Sequence, residues 1–148
     1  MSRKAVKRSL FTTPQEAEAA FYEAFARQDI DAMMNVWADD DDIWCVHPQG
    51  PRLSGVEAVR ESWRAIFRSG QQLRFQLHDS RMVQGMMVSV HSVYEQVQSA
   101  IQPEAVGTMI ATNVYVKTGE GWRMLVHHAS PAPAPEQPTR RRTSAVLH

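Results

Sequence analysis

His47 stands immediately before Pro48, and His127 and His128 stand side by side near the end of the last apolar segment. An imidazole titrates near neutrality, so each could move a proton on a substrate whose acidic group comes within hydrogen-bonding reach. Neighbouring residues on a strand face opposite sides, so His127 and His128 do not act on one space together. Cys45 lies two residues before His47 and on an extended strand shares its face. His47, His128 and Cys45 could supply three metal ligands, but the chain lacks the paired-cysteine or i, i+4 histidine spacing of such sites. No metal and no other cofactor is expected. A single cysteine also excludes an intrachain disulfide. The run Asp39 to Asp42 lacks the alternating ligands and glycine of a calcium loop, and reads as a solvated turn that ends a helix.

These groups act only where the fold holds them, and the periodicity of the chain gives the elements. Thr13-Pro14-Gln15-Glu16 offers a hydroxyl N-cap, a proline at the first helical position and a glutamate for a capping box. Ala17, Ala20, Phe21, Ala24 and Phe25 then form one apolar stripe at helical spacing. Asp29 caps a second, shorter helix that carries Ile30, Met33, Met34 and Trp37. Ile43 to His47 reads as a short strand and Pro48 to Pro51 as a turn. Ser54-Gly55-Val56-Glu57 repeats the capping-box pattern and predicts a third helix, stopped by Ser69-Gly70. Val56, Val59, Trp63, Ile66 and Phe67 lie along one side of it.

From Gln72 the period shifts toward 2 and predicts strands over 73–79, 86–98, 106–117 and 122–129. The tight link Thr118-Gly119-Glu120-Gly121 makes the last two a hairpin, with Lys117 opposite Trp122, Tyr115 opposite Met124, Asn113 opposite Val126 and Ala111 opposite His128. His128 then shares a face with Asn113, and a one-residue slip would hand that place to His127. The architecture is α+β: three N-terminal helices cover one face of a curved antiparallel or mixed sheet. The methionines Met33, Met34, Met82, Met86, Met87, Met109 and Met124, with Trp37, Trp44 and Trp63, read mostly as core by spacing, and some could line an adaptable apolar pocket.

The chain of 148 residues fits one domain, with 16 basic and 16 acidic side chains. That balance is uneven. Residues 1–8 carry +4 and residues 131–148 carry +3 against −1, which leaves 9 basic and 15 acidic residues between them, a net of −6. An acidic domain with basic ends argues against an anionic polymer as the domain's ligand, so no nucleic acid is expected. We divide the chain into a basic N-terminal tail over 1–10, a folded domain over 11–130 and a Pro/Arg-rich disordered tail over 131–148. No apolar run suits a signal peptide or a membrane span, so a cytoplasmic protein with no membrane partner is expected.

The helix pair, the segment Asn35-Val36-Trp37-Ala38-Asp39-Asp40, the strand ending before Pro48 and the helix opening Ser54-Gly55-Val56-Glu57-Ala58-Val59 resemble the nuclear transport factor 2-like superfamily. Gly121-Trp122-Arg123-Met124 followed by His127-His128-Ala129-Ser130-Pro131 resembles the last strand of uncharacterised bacterial members. Within the superfamily the match is to SnoaL-like and ketosteroid-isomerase-like proteins, and it spans about Thr13 to Pro131. The resemblance implies a cone whose sheet wraps the long helices around an internal, mostly apolar pocket. It implies a small apolar or aromatic ligand, a homodimer formed through the sheet face, and either a cofactor-free isomerase, cyclase or dehydratase working by proton transfer or a non-catalytic binding or association module. Trp37, Trp44, Trp63, Met109 and Tyr115 are the expected pocket residues.

The same resemblance places His47 where ketosteroid isomerases carry the carboxylate base, and Asn113 where they carry the protonated acid that donates to the oxyanion. An amide can donate that bond without a raised pKa. His128 becomes a second acid/base or orienting group. The family's oxyanion tyrosine maps to Phe21, and Tyr22 lies about 100° further around the helix. This departs from the ketosteroid-isomerase pattern, and the resemblance leaves a ketosteroid-isomerase-like or polyketide-cyclase-like lyase or isomerase as the enzymatic alternatives.

Overall fold

The computed structural model describes residues 8–68, 70, 72–101 and 106–133. The two expected tails lie mostly outside the described residues, with Arg8 to Leu10 and Pro131 to Pro133 inside them. Three helices pack on a six-stranded mixed sheet. The order is α1 (Pro14–Arg27), α2 (Ile30–Val36), β1 (Trp44–Val46), β2 (Arg52–Ser54), α3 (Val56–Phe67), β3 (Leu73–Gln84), β4 (Val88–Ser99), β5 (Val106–Thr118) and β6 (Gly121–Pro131). Across the sheet the strands run β2-β1-β6-β5-β4-β3. Only β1 and β6 are parallel; the other neighbours are antiparallel.

Local chemistry sets the helix ends. The Thr13 hydroxyl accepts the Glu16 N–H at 3.0 Å, and the Glu16 carboxylate turns back to the N–H and hydroxyl of Thr12. This satisfies donors that a helix start leaves open. Asp29 caps α2 by accepting the Ala32 N–H at 3.0 Å. The capping box expected at Ser54 does not form. Ser54 closes β2, and Gly55 takes the N-cap with φ at 90°, a left-handed conformation that suits glycine. The strand β2 was not foreseen, because Arg52-Leu53-Ser54 is too short to show a period.

Two irregularities shift side chains. The turn expected at Asp79 is instead a bulge: Asp79 has φ at 49°, and the strand continues to Gln84. The hairpin of β5 and β6 keeps the expected pairs Lys117–Trp122 and Tyr115–Met124, but Leu125 is then extra, and Val114 faces Val126, Asn113 faces His127 and Thr112 faces His128. Next to it the Met124 carbonyl accepts the Ala38 N–H at 2.9 Å just beyond α2. The bulge re-aims the rest of the strand.

The core lies between α1, α3 and the inner sheet face. Ala17, Phe21, Met33, Val36, Ile43, Cys45, Val59, Trp63 and Val93 are fully enclosed there. Met82, Met86 and Met87 correct the core expectation, since they are exposed on and around the β3–β4 hairpin. Among the described residues no helix is long and apolar enough to cross a membrane.

Candidate functional site

The inner face of the sheet is polar where a core is normally apolar. Alternation along β4 turns Ser89, His91, Val93 and Glu95 inward, and along β5 it turns Ala111, Asn113 and Tyr115 inward beside them. β6 adds His127 opposite Asn113. From above, α1 supplies Glu18 and Tyr22, four residues apart and so on one helix face. All of these side chains are buried.

They form one connected network. The Tyr22 hydroxyl donates to Glu95 Oε2 at 2.5 Å. Asn113 Nδ2 donates to the Tyr22 oxygen at 3.0 Å and to Glu18 Oε2 at 3.2 Å, while the Tyr115 hydroxyl reaches the same Glu18 oxygen at 3.2 Å. His91 Nδ1 lies 3.2 Å from Glu18 Oε2 but outside hydrogen-bond geometry, and its Nε2 pairs with Ser89 Oγ at 2.8 Å. Asn113 Oδ1 pairs with His127 Nδ1 at 2.6 Å. Because Asn113 spends its N–H groups on Glu18 and Tyr22, its oxygen must accept, so His127 carries its proton on Nδ1.

Burial sets the protonation of this network. It pushes the Glu95 carboxyl up to about 7, against the pull of the Tyr22 hydrogen bond and with added repulsion from Glu18. It raises Tyr22 well above the usual phenol range, reinforced by Glu95, and raises Tyr115 likewise, reinforced by Glu18. His127 is pushed down to about 3 by burial first and by His47 and His128 next, so its ring is neutral. A carboxyl poised near neutrality beside an amide and two phenols can take, hold and return a proton.

An aromatic wall flanks the network. Trp63 lies edge-on to Phe21, Phe25 and His47, with centroids 5.6, 4.8 and 4.8 Å away, and is tilted against His127 at 5.9 Å. His47 Nε2 pairs with Ser62 Oγ at 2.9 Å. Ser62 gives its own proton to the Val59 carbonyl at 2.7 Å, so it accepts from His47, whose lone pair is then on Nδ1. Burial lowers the His47 pKa and keeps the ring neutral. Cys45 Sγ is 3.6 Å from His47 Nε2, and burial pushes the thiol up, away from the thiolate that would react or bind metal. Among the described residues no group of three or more His, Cys, Asp or Glu side chains could hold a metal ion.

The expected site residues therefore part company. Asn113 sits at the centre of the network, Tyr115 belongs to it, and Met109 is opposite Glu95 on the neighbouring strand. His47 reaches Asn113 only through Trp63 and His127. His128 is a correction: the Leu125 bulge turns it to the outer face, where it is exposed, and puts His127 inside. Trp44 is also a correction, being 37% exposed on the outer face. Trp37 is sealed at the end of α2 beside a groove of about 820 Å³ that Arg8 and Arg60 help to line. Tyr22 is the third correction, since both it and Phe21 turn inward and its hydroxyl bonds Asn113.

Glu18, Glu95 and His91 were missed. The signal was present in two places: the i, i+4 pair Glu18 and Tyr22, and the polar residues Ser89, His91 and Glu95, which share one strand face with Val93.

Comparison with known proteins agrees with this architecture. The SnoaL-like domain family matches residues 15–135. A Thiobacillus denitrificans protein, provisionally named a calcium/calmodulin-dependent protein kinase type II association domain, is 37% identical and superposes with a TM-score of 0.78, over 85% of this chain and all of that one. A Streptomyces avermitilis protein, provisionally named a dehydratase of the NTF2-like family, is 31% identical with a TM-score of 0.73, over 80% of this chain and 92% of its own. The Arabidopsis thaliana F-box protein SKIP8 is 28% identical over 112 residues, 74% of this chain, which spans only 46% of that relative. A family match over most of the chain, joined to three helices on a six-stranded mixed sheet, identifies this chain as a member of the SnoaL-like domain family, with the cone fold of the NTF2-like proteins.

Proposed function

We propose that this domain binds a small apolar or aromatic molecule inside its cone and moves a proton on it without a cofactor, as an isomerase, cyclase or dehydratase does. The observation that carries this reading is the buried meeting of Glu18, Tyr22, Glu95 and Asn113, with no lysine or arginine in the network to neutralise it. Glu95 is the group matched to the task, because a carboxyl near 7 is part ionised at neutral pH. Its carboxylate takes a proton from a carbon beside a carbonyl, the Tyr22 hydroxyl and one Asn113 N–H exchange their bonds to Glu95 and Tyr22 for the enolate oxygen when the substrate enters, and the proton returns to the same or a conjugated carbon. His47 remains a candidate second base through Nδ1, at the edge of the aromatic wall. The resemblance to a provisionally named dehydratase supports this class of chemistry.

The test is exchange of the α-hydrogens of 2-tetralone in D2O, followed by proton NMR. The wild type accelerates exchange over buffer, and Glu95→Gln lowers the acceleration by about 100-fold or more, the usual loss for a general acid/base. No acceleration by folded wild-type protein overturns the catalytic reading.

A second reading, association through the sheet, is favoured by a separate observation. Val83, Val90, Val114, Val126 and Trp44 are paired in register across five strands on the outer face, where Val126 is buried within the chain itself and Val83, Val90 and Trp44 are exposed. Val83 is 75% exposed and Val90 38%. An apolar row of this kind is what a partner covers. A second copy of the chain is the partner we assign, consistent with the resemblance to a provisionally named association domain. Light scattering that gives a monomer at micromolar concentration overturns this assignment.

A further inference from the structure

We infer that the chain's own basic N-terminal segment, Met1 to Lys7, docks into an acidic channel on the outside of the fold, beside the loop that follows α2. This goes beyond the proposal for the interior of the cone and does not rest on it. The channel is two grooves that meet. One, of about 820 Å³, runs between α2 and the start of α3 and is lined in part by Asp31, Asn35, Val56 and Arg60. The other, of about 540 Å³, runs between residues 38–42 and the β5–β6 hairpin and is lined in part by Asp40, Asp42, Val116, Glu120 and Leu125. Arg8, Ala38 and Asp39 line both.

The carboxylates of this channel lack partners. Asp31, Asp39, Asp40 and Asp42 are exposed, and among the described residues none of them stands in an ion pair. The arginines at hand are spent elsewhere: Arg60 pairs with Glu57 at 3.0 Å, and Arg123 gives its guanidinium to the carbonyls of Ser9, Asn35 and Glu120. Like charges held side by side repel, and a cation laid among them relieves that repulsion.

One residue of the basic run Arg3, Lys4, Lys7 and Arg8 is already seated. Arg8 lies where the grooves meet: its Nη2 donates to the carbonyls of Asn35 at 2.9 Å and Trp37 at 2.7 Å, and its Nη1 is 3.6 Å from Glu120 Oε1. Residues 1–7 lie outside the described residues, but Arg3 is only five positions from Arg8, so the three remaining cations stay within about 18 Å of that anchor. The C-terminal arginines are worse placed. β6 carries the chain about 33 Å from Gly121 to Pro131, and the nine residues on to Arg140 span at most about 32 Å when fully extended. A tethered segment meets its groove at an effective concentration of about millimolar, so several weak surface pairs suffice to hold it.

The test follows backbone amide resonances of the 15N-labelled full chain. Arg3→Glu/Lys4→Glu/Lys7→Glu reverses the charge of the segment. We expect the amides of Asp31, residues 38–42 and residues 118–120 to differ between wild type and variant in 0.01 M salt, where the Debye length is about 30 Å, and to coincide in 1 M salt, where it is about 3 Å. A free peptide of the sequence Met1 to Lys7, added to the variant at low salt, moves the same amides back toward their wild-type positions. Asp39→Asn/Asp40→Asn/Asp42→Asn, all exposed positions, abolishes the response to the N-terminal substitutions. Amides that do not distinguish variant from wild type at low salt, or that ignore the peptide, overturn the docking. The same shifts produced by Arg140→Glu/Arg141→Glu/Arg142→Glu and not by the N-terminal variant give the channel to the other tail and overturn this assignment. Shifts that fade on dilution put the segment on a second copy and overturn the intrachain contact. None of these readouts involves the cone interior, so failure here leaves the proton-transfer reading standing.

Discussion

The two faces of the β4–β5 pair blur the ordinary division of a half-buried sheet. Inward, beside the apolar Val93 and Ala111, go the polar Ser89, His91, Glu95, Asn113 and Tyr115; outward, beside Ser92, Gln96 and Thr112, go Val88, Val90 and Val114. Strands of a domain packed on one side normally bury the valines and leave the polar residues in water. Burying a polar group is unfavourable unless its partners are present, and in this cluster they come from α1 and β6. An arrangement that costs stability on the inside and leaves Val88 and Val90 partly exposed on the outside is one that the proposed ligand within and the proposed partner chain without would both use.

The contrast breaks most sharply at Asn113. Asn113→Leu removes three interactions at once and leaves His127 Nδ1–H, Glu18 and Tyr22 short of a partner, a loss of about 3 kcal/mol in urea unfolding. A leucine that costs less than about 1 kcal/mol would show the network to be water-bridged and not directly bonded.

Acid dependence sharpens the same contrast, because two buried groups act in opposite directions. Glu95 moves from 4.5 unfolded to about 7 folded, so the native state holds its proton more tightly, and stability falls by about 3 kcal/mol as pH rises through that window. His127 moves from 6.5 to about 3, so its contribution is fully present above 6.5 and is lost as pH falls below it. Between 4.5 and 6.5 the two slopes nearly cancel, at about 1.4 kcal/mol per pH unit each. Glu95→Gln removes one of them. The variant then loses stability on acidification from 6.5, where the wild type stays nearly flat; parallel pH profiles for the two proteins would remove Glu95 from the network.

The outer face answers to a different change. Val90→Asp places a charge in the exposed part of the apolar row, with an expected rise of at least about tenfold in the dimer dissociation constant by light scattering or sedimentation, and little change in the unfolding of the isolated subunit. An unchanged dissociation constant would move the interface elsewhere.

How far the sequence led depends on the range of the interaction. Thr13 and Asp29 announce their helices because caps are local, and Lys117 to Met124 gives the hairpin register because a short turn fixes it. The Leu125 bulge sits beside a bond from the Ala38 N–H, more than eighty residues away in the chain and invisible to a local reading, and its effect was to exchange His128 for His127. Glu95 and Glu18 were unreadable as partners for the same reason: each alone reads as a solvated charge, and only the fold brings Tyr22 and Asn113 between them. Phe21 and Tyr22 misled in another way. A helix wrapped by a sheet is buried over a wide arc, so a turn of about 100° did not carry Tyr22 out of the core.

The smallest test compares two neighbours on β5 that face opposite ways. Tyr115→Phe removes one hydroxyl from Glu18, which keeps the Asn113 amide, so the cost is about 1 kcal/mol at any protein concentration. Val114→Thr on the outer row exchanges a methyl for a hydroxyl at similar volume, and costs a few tenths of a kcal/mol in a dilute, dissociated sample. If a second copy covers Val114, that hydroxyl loses water only in the dimer, and its cost grows with protein concentration while that of Tyr115→Phe does not. Concentration dependence in Tyr115→Phe, or its absence in Val114→Thr, would mean that the division of the two faces between ligand and partner is wrong.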